Sequence, residues 1–248
     1  MNETIQTLLN HRSIRKFQDK ALSEQQITTI VDAARFASTS SYLMAYSIIG
    51  VTDPNKKAEL AAISNQAYIK DNGHFLLFCA DFHRHTLHAT QEEYQDMLTN
   101  LENTEHFLVA TIDATLAAQN AAIAAESMGL GICYIGSIRN DIDKVNDLFQ
   151  LPSHVIPLFG MAIGYPADSP DQKPRLPKTS IYFENEYISD DEHKTQLQKF
   201  DASISDYYQT RKENQRIDKW TSQVKQSIAN PKRARISTYV KEKLFNKR

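Results

Sequence analysis

The chain has 248 residues, of which 41% are apolar, and a formal net charge of −2. This length can bury a sizeable core, and the composition is ordinary for a globular protein. No basic start precedes an apolar run, and no stretch reaches ~18 uninterrupted apolar residues, which argues against a signal peptide and a membrane span. Cys79 and Cys133 each lie in an apolar run, which predicts reduced core thiols rather than a disulfide. We therefore expect a soluble, cytoplasmic protein.

The near-neutral total hides a basic C-terminal segment. Between residues 211 and 248, twelve Lys or Arg residues face three acidic ones, which leaves about −11 on the rest of the chain. Such a segment can bind nucleic acid, an anionic ligand, or the acidic body of a second copy of the chain. No RNA-recognition signature, zinc-finger spacing or glycine–arginine repeat accompanies it, so nucleic acid is the minority alternative.

A basic segment follows a short helix that we predict over residues 4–9. It reads His11-Arg12-Ser13-Ile14-Arg15. In an extended chain the side chains alternate, so the first, third and fifth residues point one way and Ile14 points the other. Guanidinium forks and a hydroxyl suit phosphate or carboxylate, which makes the segment a candidate anion site. The alternative is a solvated basic turn.

A hydroxyl-rich loop ends the next predicted helix. Ser23 and Gln26 have the spacing of a capping box, and the apolar stripe that follows predicts a helix to about Ala37. The loop contains Thr39 and Ser41 and leads to Tyr42. Loops of this composition are commonly simple turns, and they can also line a polar ligand.

Four short apolar runs are predicted to be strands, at residues 46–51, 75–79, 132–136 and 157–163. Helices are predicted at residues 54–65, 105–128, 141–149 and 217–228. The 105–128 helix is alanine-rich with few charges, so we expect it to be buried nearly all round, in a core or at a subunit interface. Helices and strands without a regular βαβ period predict an α+β fold.

Two classes of ligand site are disfavoured. His83, His85 and His88 invite a metal interpretation, but no matching cysteine or carboxylate set accompanies them, so we predict no metal site and a solvated helix start instead. No glycine-rich nucleotide fingerprint occurs in the chain. Any phosphate must therefore be held by side chains.

Several motifs occur together in an order that resembles the nitroreductase family, in its NADPH-dependent, oxygen-insensitive branch of nitroreductases and flavin reductases. They are the basic segment 11–15, the hydroxyl loop 38–41, Gly129-Leu130-Gly131 before Tyr134-Ile135-Gly136, Leu158-Phe159-Gly160 before Gly164-Tyr165-Pro166, and Lys173-Pro174-Arg175. The resemblance spans nearly the whole chain.

The resemblance implies a nitroreductase-like fold, with a central, mostly antiparallel sheet flanked by helices, in an intertwined homodimer. Residues 1–190 would form the FMN-binding core, and residues 191–248 an extension of the same domain that packs on the partner subunit. It also implies an enzyme that passes two electrons by ping-pong from NADPH through FMN to nitroaromatics, quinones or free flavin. No side chain would be catalytic, because the flavin carries the redox chemistry.

The resemblance assigns roles to sixteen residues of this chain. The FMN-binding residues would be His11, Arg12, Ser13, Arg15, Thr39, Ser41, Gln66, Tyr134, Ile135, Gly136, Lys173 and Arg175. The residues that contact NADPH or the acceptor would be Tyr42, Arg211, Arg216 and Arg233. The alternative for Arg211, Arg216 and Arg233 is that they are solvated charges on helices. The alternative for the whole protein is a non-catalytic flavin- or nucleic-acid-binding protein on the same scaffold.

Overall fold

A computed structural model describes residues 1–211 and 214–248 of the chain, and its architecture is α+β, as predicted. Lys212 and Glu213 of the basic C-terminal segment lie outside the described residues. The strands are β1 Tyr46–Val51, β2 His74–Asp81, β3 Gly131–Ile135 and β4 Val155–Gly164. The helices are α1 Glu3–Leu9, α2 Glu24–Arg35, α3 Pro54–Ser64, α4 His83–Thr86, α5 Gln91–Leu101, α6 Thr104–Ser127, α7 Ile142–Phe149, α8 Asp190–Thr210, α9 Trp220–Ala229 and α10 Arg235–Glu242.

The chain forms two compact units. The first comprises residues 1–169 and 233–248 and contains the whole sheet, and the second comprises residues 170–232. The last sixteen residues of the chain therefore belong to the first unit. Its core includes Tyr239 and Val240 of α10 and Phe245 beyond it.

The sheet has the strand order β1-β2-β4-β3, and every neighbouring pair is antiparallel. The four predicted strands are confirmed, with ends that differ by at most two residues. All eight residues of β2 are buried, because alternate side chains enter two different cores. Leu76 and Phe78 join the core beneath α2 and α6, whereas Phe75 and Leu77 join the core that includes residues of α3 and α7.

Helix α6 packs its small side chains against the sheet and α2. Ala114, Ala118 and Ala121 are fully buried, and side chains of this size allow a close approach of backbones. Within one chain the burial of α6 is incomplete, because Leu108, Ile112 and Leu116 are 42–53% exposed at a four-residue spacing. By length and composition alone, α6 could cross a membrane, but a core helix passes the same test and the alanine face of α6 packs inside the first unit.

The second unit has its own small core. Phe200, Ile204 and Tyr208 lie on one face of α8, and Trp220 of α9 packs against them. The sequence-based prediction missed α8. Its signals are a Ser189–Glu192 capping box and this four-residue spacing of apolar residues, which a long polar sequence obscures.

Candidate functional site

The basic segment runs beside the beginning of β3. Ser13 forms a parallel bridge with Ile132, and the Ile14 amide donates to the Ile132 carbonyl at 2.9 Å. Ile14 is buried and Arg15 is exposed, as alternation predicts for these two residues, whereas His11, Arg12 and Ser13 are all partly exposed. A Cβ on Gly131 would lie 2.5 Å from the Ile14 side chain, so only glycine permits this close approach.

The polar residues of the segment have partners in the same unit. His11 Nδ1 lies 2.6 Å from the Glu126 carboxylate of α6, and the Arg12 guanidinium donates to Ser169 Oγ at 3.3 Å. Burial and the neighbouring Cys133 raise the pKa of Tyr68, while the nearby Arg15 lowers it. Arg15 therefore faces Tyr68, two positions after the predicted flavin ligand Gln66.

Three residues at the end of the hydroxyl loop and just after it, none of them glycine, have left-handed backbone. Ser41, Tyr42 and Met44 have φ values of 49°, 59° and 49°. Each such residue costs about 1–3 kcal/mol, so the conformation persists only where its surroundings enforce it. Thr39 precedes this turn in an extended conformation and is partly exposed, whereas Tyr42 is 83% exposed.

The Asp113 carboxylate of α6 provides that enforcement. It is 1% exposed, and its two oxygens accept the amides of Ser40 and Ala45, each at 3.0 Å. These two amides bracket the left-handed residues. His85 Nε2 binds the Leu43 carbonyl at 2.7 Å between them. A hydrogen bond to a charged group contributes about 1.5–3 kcal/mol, which is enough to offset much of the backbone strain.

Sequence reasoning missed both of these residues. The sequence does contain a signal for Asp113, because a carboxylate within an alanine-rich buried helix is expected to be hydrogen-bonded. The sequence pattern predicts a solvated helix start at His85, whereas its ring is hydrogen-bonded to the Leu43 carbonyl and connects α4 to the residue that follows Tyr42. Within residues 1–211 and 214–248, no group of three or more His, Cys, Asp or Glu side chains could hold a metal ion.

The end of β3 presents one aromatic side chain on an otherwise buried strand. Ile135 is 2% exposed, whereas Tyr134 is 37% exposed and packs edge-on against Phe159 with ring centroids 5.7 Å apart. The Tyr134 hydroxyl donates to Gln119 of α6 at 3.4 Å, and burial raises its pKa. A Cβ on Gly136 would lie 3.2 Å from the guanidinium of Arg139.

Helix α6 therefore carries an anchor for three of the predicted site segments in the first unit: the hydroxyl loop, the end of β3 and the basic segment. Asp113 holds the hydroxyl loop, Gln119 accepts the Tyr134 hydroxyl, and Glu126 binds His11. With a rise of 1.5 Å per residue, these anchors extend over about 20 Å of the helix. The structure thus arranges along one rigid element three segments that are far apart in sequence.

Arg233, also in the first unit, lies next to the turn that follows β3. Its Nε donates to Asn140 Oδ1 at 2.9 Å. Burial lowers the pKa of Arg139, and the charge of Arg233 lowers it further. The neighbouring Arg235 differs, because it is paired with Asp143 and Glu242.

The remaining predicted cations lie in the second unit, where three of them surround one aromatic ring. Lys173 Nζ, the Arg211 guanidinium and the Arg216 guanidinium lie 5.5, 4.6 and 3.9 Å from the Tyr208 ring centroid. Burial acts to raise the pKa of Tyr208, but the hydrogen bond and charge of Lys173 and the charge of Arg216 contribute to lowering it. Arg175 is exposed and lines a separate groove of about 510 Å³.

Comparison with known proteins identifies related sequences over the full chain. Residues 8–165 match the model of the nitroreductase family, and residues 173–248 match that of the nitroreductase family, C-terminal domain. The chain is 52% identical over 249 residues to a Bacillus subtilis protein named FMN reductase (NADPH), with 100% of both chains covered.

Solved structures of similar proteins also match the chain over its whole length. The structure of B. megaterium NfrA1 superposes with a TM-score of 0.95 at 53% identity and covers 99% of this chain and 100% of its own. The NADPH:FMN oxidoreductase from Vibrio harveyi, complexed with NAD+, superposes with a TM-score of 0.87 at 37% identity and covers 100% of both chains.

The variant Asp113→Ala tests the support of the hydroxyl loop. Loss of two charge-assisted hydrogen bonds should lower the free energy of unfolding by about 3 kcal/mol and accelerate amide exchange at Ser40 and Ala45. Exchange is measured by mass spectrometry or NMR. As a control, Asp141→Ala removes the N-cap of α7, costs about 1 kcal/mol and leaves exchange in the loop unchanged. Unaltered exchange at Ser40 and Ala45 in Asp113→Ala would contradict this role.

Proposed function

The chain belongs to the nitroreductase family, and from this premise we propose that it is an FMN-dependent NADPH oxidoreductase. It passes two electrons from NADPH to a small-molecule acceptor, which is a nitroaromatic, a quinone or free flavin. The observation that carries the proposal is the anchoring of the basic segment, the hydroxyl loop and the exposed Tyr134 to one helix, α6.

The residues of the first unit fit the chemistry of FMN. Its phosphate needs cations, its ribityl chain needs polar partners, and its flat ring needs an apolar wall with a close backbone. Arg15 is exposed and forms no ion pair within residues 1–211 and 214–248, so its charge remains available to a phosphate. Thr39 and Ser41 provide hydroxyls, and Gly136 ends a strand whose last side chains are Tyr134 and Ile135.

We propose that the FMN ligands are the residues that the family resemblance indicates. They are His11, Arg12, Ser13, Arg15, Thr39, Ser41, Gln66, Tyr134, Ile135, Gly136, Lys173 and Arg175. When bound, FMN supplies the hydride and electron transfer, and turnover is ping-pong. The side chains bind and orient the flavin, and the rigid loop keeps its hydroxyls in place without rearrangement.

The cations around Tyr208 are proposed to bind NADPH. Arg211 and Arg216 would hold its 2′-phosphate, since guanidinium forks bind phosphate bidentately. Stacking on the Tyr208 ring restrains both side chains and reduces the entropy lost on binding. Tyr42 and Arg233 are proposed to contact the nicotinamide or the acceptor, because Tyr42 is exposed and Arg233 is partly exposed at the surface of the first unit.

A homodimer in the cytoplasm is part of the proposal. Helix α6 carries the half-exposed stripe Leu108, Ile112 and Leu116, and α1, which contacts α6, carries Leu8 and Leu9 at 43% and 58% exposure. A second copy would cover this apolar surface. We propose that residues 1–190 form the core of a single domain and that, within the extension 191–248, residues 191–232 pack on the partner, because residues 233–248 belong to the first unit of their own chain.

The basic C-terminal segment does not favour nucleic acid. Arg235, Lys247 and Arg248 each form an ion pair with a carboxylate of the chain. Both C-terminal cations bind the buried Glu102 carboxylate, at 3.0 and 2.8 Å. Part of the positive charge of the segment is therefore neutralised internally.

The first experiment tests the function itself. The purified chain should bind FMN and be yellow, NADPH should bleach its flavin absorbance, and a nitroarene or quinone should restore it. Free FMN with NADPH at the same concentrations is the control for the uncatalysed reaction. A colourless protein, or a bound flavin that NADPH leaves oxidised, would instead favour a non-catalytic binding protein.

Arg15→Ala should weaken FMN binding about 10- to 100-fold, because one charge-assisted hydrogen bond contributes about 1.5–3 kcal/mol. Quenching of flavin fluorescence measures the dissociation constant. The thermal midpoint should change little, since Arg15 is exposed. The neighbour Lys16, which lies 3.5 Å from Asp168, provides the control Lys16→Ala with affinity near that of the original chain. Unchanged affinity in Arg15→Ala would remove this residue from the phosphate site.

Arg211→Ala should raise the KM for NADPH about tenfold while changing the KM for NADH little, since only NADPH carries the 2′-phosphate. Steady-state kinetics with both nucleotides and one acceptor measure the ratio. Lys225→Ala, an exposed cation of α9, is the charge-matched control. A preference between the two nucleotides that stays constant in Arg211→Ala would show that another group selects the cofactor.

The double variant Ile112→Asp/Leu116→Asp should be monomeric, because two carboxylates cannot be buried in an apolar interface without partners. Light scattering after size exclusion gives the mass. Leu87→Asp changes another exposed leucine, which belongs to neither α1 nor α6, and should remain dimeric. The proposed dimer is wrong if the unaltered chain is monomeric while it carries a full complement of FMN.

A further inference from the structure

A cavity lies in the first unit, lined by residues to which the proposed oxidoreductase function assigns no role. Its volume is about 330 Å³, and it lies between the ends of β1 and β2 and the chain at residues 18–21. Three lysines and two aspartates line it, in addition to Asn72 and His74. Lys57, Asn72 and His74 are the buried polar residues of this wall.

Lys57 brings a buried positive charge to the cavity without a carboxylate partner. It is 9% exposed, and its ammonium donates to the Asn72 carbonyl at 2.8 Å. In the described part of the chain it forms no ion pair within 4 Å. Burial lowers its pKa, and the exposed Asp71 only partly opposes this effect. A buried cation without a counter-ion is costly, so an anion in the adjacent space would stabilise it.

Two further groups leave hydrogen-bonding capacity unmet at the same place. His74 is 6% exposed, and its ring forms no hydrogen bond within residues 1–211 and 214–248. Burial and the charge of Lys57 lower its pKa, so its ring is neutral and offers one donor and one acceptor. The buried Oδ1 of Asn72 has no partner. Buried polar groups without partners are rare in native proteins, so a buried His74 without a hydrogen bond, beside a Lys57 with only one, indicates a polar ligand in this cavity.

Lys243 shows how this chain buries a lysine for structural reasons alone. It has the same 9% exposure, and burial lowers its pKa as well. Its ammonium, however, donates to two carbonyls, those of Leu151 and Pro152, at 2.6 and 2.7 Å. Lys57 has one such bond, and the rest of its donors lie at the cavity.

We propose that this cavity is a binding site for a small oxyanion that also carries a hydroxyl group, with hydrogen phosphate as the simplest member of the class. Lys57 and one ring nitrogen of His74 donate to its oxygens. The other ring nitrogen of His74 favours a ligand that can donate a proton in return. The site is separate from the proposed flavin and NADPH residues and does not depend on them.

The test is a titration of the full-length chain, labelled with ¹⁵N at histidine, with inorganic phosphate at pH 7 and constant ionic strength set by NaCl. The ring signal of His74, assigned by its loss in His74→Gln, should shift saturably. Sulfate, which offers no donor at this pH, should bind about tenfold more weakly, which corresponds to about 1.4 kcal/mol. A linear drift identical for phosphate, sulfate and chloride would overturn the proposal.

Three variants locate the effect. Lys57→Met should abolish the saturable shift of His74, whereas Lys243→Met, the matched buried lysine, should keep it despite a similar loss of stability. Arg15→Ala should also keep it, which separates this site from the proposed flavin phosphate site. An unchanged phosphate response in Lys57→Met would refute the site, and loss of the response in Arg15→Ala would assign the phosphate to the basic segment instead. If Lys57→Met does not fold, the comparison of phosphate with sulfate on the unaltered chain decides.

Discussion

The buried carboxylate of Asp113 is the interaction on which the candidate site depends. It lies within the alanine-rich face of α6, where small side chains allow the helix to approach the sheet and α2 closely. From there it accepts two backbone amides of a loop whose residues would otherwise avoid left-handed φ. A charge that is withdrawn from water thus maintains strained residues at the surface, where a ligand can reach them.

The same helix relates the site to the proposed dimer. Asp113 lies on the buried face of α6, whereas Gln119 and Glu126 lie on the same side of the helix as the half-exposed stripe Leu108, Ile112 and Leu116. If a second copy covers that stripe, the element that positions the flavin residues is also the element that forms the interface. Association would then restrict motion of the hydroxyl loop and the basic segment together.

Cations in this chain fall into two groups with different physical roles. Arg235, Lys247 and Arg248 are paired with carboxylates and stabilise the return of the C-terminal residues to the first unit. Lys173 and Arg211 lie instead against the Tyr208 ring, and a quadrupole neutralises charge less completely than a carboxylate does. The second group keeps the capacity to bind an external anion, as Lys57 does within its cavity.

The sequence by itself determined the four strands, the α+β class and the burial of Ile14 beside an exposed Arg15, because apolar periodicity and side-chain alternation are local properties of the chain. The motif order was also enough to indicate the family. It did not indicate α8, whose apolar residues are sparse, nor the half-exposed face of α6, since composition alone cannot say which side of an apolar helix is covered. The roles of Asp113, His85 and Lys57 were decided only by the tertiary structure, because each role depends on backbone groups or a cavity brought to it by distant segments of the chain.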